Sequence, residues 1–181
     1  MSKQKTAVVV GATGNLGQAI VLKLKEAGWH IDPTWLGDNH PDARDPKSYE
    51  SLPEVIDLAV YTPGLNAISN TEDLSLEKWN DVLNTNLTGA FLFAKHAFPA
   101  MKRAGHSTYV AISSINSTHP YPGRVAYAAS KAGLEGLVRE LAVEWGKYDI
   151  STHAIRLGHL SGLMKTTPAN PKLLDSVKAL T

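Results

Sequence analysis

Thr6-Ala7-Val8-Val9-Val10-Gly11-Ala12-Thr13-Gly14-Asn15-Leu16-Gly17 decides the fold. Its first five residues, dominated by β-branched valine, have the length and character of a strand buried on both faces. Three glycines follow, and Ile20, Val21 and Leu24 then recur at helical spacing until Gly28 stops the run. A strand, a glycine turn and a helix in that order predict an α/β chain built on a parallel sheet. The same turn suits a dinucleotide. Glycines let the backbone approach a pyrophosphate closely, while the helix N-terminus behind them offers unpaired N–H donors and a partial positive charge. Gly11, Thr13, Asn15, Leu16 and Gly17 are the candidate contacts on this turn. A carboxylate about 20 residues further on would meet the ribose hydroxyls of NAD, and Asp38 stands near that distance. No arginine follows the second strand until Arg44, which leans the cofactor toward NAD rather than NADP.

Outward from that stretch, short apolar runs alternate with longer segments of helical period. A second strand is predicted within residues 29–35, a third at 56–61, a fourth at 108–113 and a fifth near 150–156. Residues 37–53 are polar and rich in Pro and Asp, so they read as a connection short of regular structure, with room for a short strand near Asp42. Ser75 is the predicted N-cap of a long helix running to about Pro99, with Leu76, Trp79, Leu83, Leu87, Ala90, Phe91 and Ala94 at helical spacing. A later helix carries Tyr127 and places Leu134, Leu137, Val138, Leu141 and Trp145 on its core face. Beyond Leu157 a loop and one short helix from Pro171 are expected.

A chain of 181 residues with 43% hydrophobic content is long enough for one domain with a sizeable core and short for two. Eighteen basic against seventeen acidic side chains give a net charge of +1, with nothing to attract nucleic acid or an anionic membrane. The absence of cysteine excludes disulfides, thiol catalysis and thiolate metal sites. The apolar run at 7–10 begins too early to leave room for a signal peptide, and no segment approaches membrane-spanning length, so a soluble cytoplasmic protein is the expectation. No pair among the seven histidines has the spacing of a metal site, and none is assigned. His119 and His159 read as exposed loop residues.

Chemistry is carried by Tyr127-Ala128-Ala129-Ser130-Lys131. Four residues is one helical turn, so the phenol and the ammonium share a face. A cation beside a phenol favours its ionised form and makes it a better proton donor. The alkoxide formed when hydride adds to a carbonyl needs a proton and a nearby donor, and Tyr127 with Ser114 offers both.

Three further stretches follow the glycine turn in order: Asn84-Thr85-Asn86-Leu87-Thr88-Gly89-Ala90-Phe91, Val110-Ala111-Ile112-Ser113-Ser114 and Ala126-Tyr127-Ala128-Ala129-Ser130-Lys131-Ala132-Gly133. With them the chain resembles the short-chain dehydrogenase/reductase family over essentially its whole length. The resemblance implies a Rossmann-like doubly wound parallel sheet and NAD(P)-dependent interconversion of a carbonyl and an alcohol by hydride transfer. It implies Tyr127 as the general acid/base, Lys131 as the residue that holds the ribose and assists the tyrosine, Ser114 as the group that orients the substrate, and Asn86 as the holder of a water in a proton relay. Gly64 and Gly158 join Tyr127 and Lys131 among the implied cofactor contacts. The implied partners are a small-molecule carbonyl or alcohol and further copies of the chain, as a homodimer or homotetramer. Trp79, Phe91, Leu137 and Trp145 are candidates for a self-association surface as well as for the core.

The chain also departs from the family pattern. Asn15 stands where a glycine is usual, and asparagine tolerates left-handed backbone better than most residues. Tyr61-Thr62-Pro63-Gly64 replaces the usual Asn-Asn-Ala-Gly, with the Thr62 hydroxyl in place of one amide. Leu157-Gly158 replaces Pro-Gly, and Gly162 sits where a threonine often reaches the nicotinamide, with Ser161 as its substitute. Family chains run to roughly 250 residues as one α/β domain. The segments missing by comparison would carry the two edge strands, which leaves five strands ordered 2-1-3-4-5 and an exposed apolar edge. The altered glycines and the short length favour a non-catalytic dinucleotide sensor or a truncated, inactive member. The complete Asn86, Ser114, Tyr127 and Lys131 set favours an enzyme.

Overall fold

Five parallel strands form one sheet in the order β2-β1-β3-β4-β5: β1 (Thr6–Val10), β2 (His30–Ile31), β3 (Leu58–Tyr61), β4 (Ser107–Ser114) and β5 (Ile150–Leu157). The computed structural model describes residues 4–37 and 39–158. Asp38, His159, Ser161, Gly162 and the helix expected from Pro171 lie outside the described residues. The strand order is the one the family resemblance implies. Its register pairs Val10 with Tyr61, Tyr61 with Ala111 and Ser114 with Leu157, which brings the C-terminal ends of β1, β3, β4 and β5 to one edge of the sheet. The chain runs one way from β1 to β2 and the other way from β2 onward, so right-handed crossovers put α1 (Asn15–Glu26) on one face and the later helices on the other. That reversal leaves a crevice at the strand ends, the position where open α/β sheets bind ligands.

The predicted 75–99 helix is two α-helices, α2 (Leu76–Leu83) and α3 (Gly89–Ala104), joined by a π-helical segment (Asn84–Thr88). Ser75 caps it as expected, its hydroxyl accepting from the Lys78 N–H at 3.2 Å. Pro99 lies inside α3, which ends instead at left-handed Gly105. The π segment widens the turn and shifts the phase of the apolar stripe. Val82 and Asn86 face inward up to that point, and Ala90, Phe93, Ala94 and Ala97 do so after it. Leu76 and Phe91, expected on the core face, are 73% and 47% exposed. α4 (Val125–Trp145) buries Leu134, Val138, Leu141 and Trp145 as predicted, with Leu137 half-buried.

No strand forms near Asp42 among the described residues. Asp45 caps a 3-10 turn (Pro46–Tyr49), accepting from the Lys47 N–H at 2.9 Å, and Pro46 has no N–H to give a ladder. The turn delivers Tyr49 into the core, stacked on Trp35 at 5.4 Å and tilted against Phe93 at 5.6 Å. An aromatic plug of Trp35 and Tyr49 thus packs against α3. Among the described residues no helix is long and apolar enough to cross a membrane.

Candidate active site

The strand ends border a cleft of about 380 Å³. Gly11 opens it with φ +80, and the Gly14 N–H returns to the Gly11 carbonyl at 3.1 Å. A Cβ on Gly17 would collide with the Gly11 carbonyl oxygen and lie 2.8 Å from the Ala12 Cα, so only glycine lets α1 start this close to the turn. Asn15 is the first residue of α1 and does not use left-handed backbone, which among the described non-glycine residues occurs at Asp149. The left-handed tolerance expected of it is therefore not required. No acidic side chain occupies the first turn of α1, which leaves its positive end open to an anion.

Thr62 departs from expectation. Its hydroxyl lies 2.8 Å from the Val10 carbonyl and 3.1 Å from that of Gly11, so its proton is directed to the strand and turn rather than into the cleft. It fastens the end of β3 to the glycine turn.

Opposite the turn, Ser114 ends β4 and Tyr127 lies in the first turn of α4. Lys131 follows one turn later with its Nζ 5.7 Å from the centre of the Tyr127 ring. The ammonium donates to the Ile112 carbonyl at 2.6 Å and is only 2% exposed. Burial pulls its pKa down to about 8. Gly64 faces it closely enough that a Cβ there would lie 3.7 Å from Nζ.

Gly11, Asn15, Leu16, Gly17, Gly64, Ser114, Tyr127, Lys131 and Gly158 all line this one cleft. Thr13 and Asn86 do not. The Thr13 carbonyl accepts from Gln18 at 2.8 Å. Asn86 is fully buried in the π segment, accepting from the Leu65 N–H at 2.7 Å and donating to the Leu65 carbonyl and the Ser130 hydroxyl, each at 2.9 Å. Ser130 in turn donates to the Tyr127 carbonyl at 2.7 Å. The Asn86 amide thus positions the loop after Gly64 against the helix of Tyr127. Pro63 and Ile112 also line the cleft and were not singled out from the sequence. Their place at the ends of apolar strands was the available signal.

A second recess of about 400 Å³ meets the first at Gly11 and Pro63 and is bordered by Trp35, His40, Asp42 and Arg44. Asp42 grips Arg44, accepting from Nε at 3.0 Å and Nη2 at 2.7 Å, and Asp81 lies 3.6 Å from the same guanidinium. The hydrogen-bonded Arg44 holds the Asp42 carboxyl below its usual range.

Comparison with known proteins gives one family. The sequence profile described as short chain dehydrogenase matches residues 48–172. Acetoacetyl-CoA reductase from Acinetobacter sp. (strain RA3849) is 29% identical over 207 residues, covering 99% of this chain and 83% of the relative. The 3-oxoacyl-(acyl-carrier-protein) reductase FabG of Escherichia coli (strain K12) is 29% identical over 179 residues, covering 86% and 73%. A solved structure from Sinorhizobium meliloti 1021, provisionally described as a short-chain alcohol dehydrogenase, superposes with a TM-score of 0.84 at 28% identity, covering 95% of this chain and 79% of that one.

Proposed function

Since the chain belongs to the short-chain dehydrogenase family, whose members are oxidoreductases, we propose that its cleft binds NAD(P)H and that Tyr127 supplies the proton in carbonyl reduction. The observation that carries this reading is the meeting of the Gly11–Gly17 turn with Tyr127 and Lys131 across one cleft. The fit to a dinucleotide rests on the turn itself, where the place of a Gly17 side chain is taken by backbone and the positive end of α1 faces the cleft. Gly11, Asn15, Leu16 and Gly17 would hold the pyrophosphate, Gly64 and Lys131 the nearer ribose, and Gly158 the nicotinamide end. The bound cofactor supplies the hydride.

Tyr127 and Ser114 then serve the carbonyl oxygen, the first by giving a proton and the second by fixing the oxygen with a hydrogen bond. Lys131, buried and oriented by the Ile112 carbonyl, carries its charge beside the phenol. In the reverse direction Tyr127 takes the alcohol proton. Asn86 acts from behind, through the loop after Gly64 and through Ser130. The names of the two relatives point to a 3-oxoacyl thioester as the first substrate to try. NAD is favoured over NADP because Arg44 is already matched by Asp42 and Asp81, which leaves a 2′-phosphate little net positive charge. Asp38, the sequence-based reason, points the same way. A homodimer or homotetramer formed through α3 and α4 completes the reading.

Titration with NADH and NADPH, followed by energy transfer from tryptophan to nicotinamide, tests binding first. Acetoacetyl-CoA reduction by wild type and Tyr127→Phe tests the acid. The variant should keep its nucleotide affinity within twofold and lose more than about tenfold in kcat/KM, or roughly 1.4 kcal/mol of transition-state stabilisation. A variant retaining more activity than that would remove Tyr127 from the role. Tight nucleotide binding with no carbonyl turned over would favour the sensor.

A further inference from the structure

Ser113, Ser117 and Arg156 converge on one carboxylate that the chemistry above does not use. Glu135 lies one helical turn beyond Lys131 and two beyond Tyr127, so the three side chains leave α4 on one face. Glu135 is 7% exposed and is not part of the cleft wall. Its Oε1 accepts from the Ser113 hydroxyl at 2.7 Å, the Ser117 hydroxyl at 2.6 Å and Arg156 Nε at 3.0 Å. Its Oε2 accepts from Arg156 Nη2 at 2.6 Å. The guanidinium, reinforced by the two hydroxyls, holds the carboxyl down at about 2, so it is ionised throughout the neutral range.

The partners' positions give the cluster its meaning. Ser113 precedes Ser114 in β4, and Ser117 ends the 3-10 turn (Ile115–Ser117) that follows it. Ser114 Oγ itself accepts from the Asn116 N–H of that turn at 3.2 Å. Arg156 pairs in register with Ser113 and immediately precedes Leu157 and Gly158 on the cleft wall. One carboxylate therefore ties both flanks of Ser114 and the end of β5 to the helix that carries Tyr127 and Lys131. A buried carboxylate is costly unless matched, and apolar packing would hold these elements together at least as well. A directional, four-bond anchor is suited to fixing geometry, where an error of about an ångström in a donor costs orders of magnitude in rate.

We propose that Glu135 is a positioning residue that sets the Ser114 hydroxyl and the end of β5 relative to Tyr127. The proposal rests on the roles given above to Ser114 and Tyr127. Two variants test it: Glu135→Gln, and Ser113→Ala/Ser117→Ala, which leaves the Glu135–Arg156 ion pair intact. Rates are to be measured with NADH and acetoacetyl-CoA per nucleotide-binding site, so that unfolded protein does not count. Each variant should lose at least tenfold in kcat while its NADH Kd stays within twofold of wild type. A kcat within twofold of wild type in either variant overturns the proposal, as does a loss of NADH affinity matching the loss of rate. Hydrogen exchange supplies a readout independent of turnover. Both variants should exchange the amides of residues 114–117 at least tenfold faster, with β1 unchanged, and equal exchange at 114–117 would also overturn it. If wild type reduces no carbonyl while the exchange result holds, the enzyme reading fails and the anchor stands.

Discussion

At the scale of single residues, Lys131 carries the least comfortable charge in the described molecule. Its ammonium is almost wholly removed from water, and the Ile112 carbonyl offers a dipole, not a charge, in return. With its pKa depressed to about 8, the folded protein bears the full penalty below that pH. Between about pH 8 and 10.4 the folded state has lost this proton while the unfolded chain keeps it, so stability rises with pH. The stability of wild type relative to Lys131→Met should therefore rise as the pH climbs from 7 through 8 toward 10, by an amount on the order of 3 kcal/mol in all. Urea unfolding of both proteins from pH 7 to 9.5 measures this, below the range where Tyr49, Tyr61 and Tyr109, whose pKa values are raised by burial, oppose it. A difference that does not vary with pH would mean that the lysine's charge is not what burial penalises. The pairing of Tyr127 with Lys131 was legible because helical spacing is local. Glu135 was not, since Ser113 and Arg156 lie 22 and 21 residues away and meet it only once β4 and β5 pair.

At the scale of elements, the sequence period gave one long helix where the chain makes two α-helices around a π segment. Residue spacing alone does not mark a π turn, because the segment is stabilised from outside. Here the support is Asn86, whose bonds to Leu65 span 21 residues. The resemblance suggested Asn86 as a site residue, while its part in holding Leu65 and Ser130 emerges only from the fold. Asn86→Ala would remove the amide that pairs with the partly buried Leu65 N–H and carbonyl and would take one of two bonds from the buried Ser130 hydroxyl, which keeps the Tyr127 carbonyl. With the Leu65 groups partly within reach of water, the expected loss is about 1–3 kcal/mol in urea unfolding. The glycine turn should also bind NADH more weakly, because Gly64 moves with Leu65. A loss below about 0.5 kcal/mol would show that water or neighbouring groups replace the amide.

At the scale of the whole molecule, a parallel α/β sheet was legible because strands, glycines and helices alternate with few interruptions, while the order of its strands came from the family resemblance. The 37–53 connection was not, since Tyr49 is recognised as core only once Trp35 and Phe93 are beside it. The same limit applies to self-association. Trp145, read from the sequence as core and also, with Phe91, as an interface candidate, is core, packed on Phe98 at 5.1 Å. Phe91 remains half exposed at one side of a groove of about 450 Å³ between α3 and α4, which also includes Phe98, Leu141 and Tyr148. Lys95, Lys147 and Glu144 flank that groove, so it presents both signs of charge around an apolar strip. A two-fold interface sets a patch against its own copy, and a patch of mixed sign can satisfy itself in that arrangement where a patch of one sign would repel. Docking there would also brace α4, the helix that carries Tyr127 and Lys131. Sedimentation of wild type should accordingly give a dimer or tetramer, and Phe91→Glu should shift it toward monomer by setting a charge against the apolar strip. Thermal stability of wild type should fall on dilution, while that of the variant should not depend on concentration. A monomeric wild type at micromolar concentration, or a Phe91→Glu protein that assembles like wild type, would remove α3 and α4 from the interface.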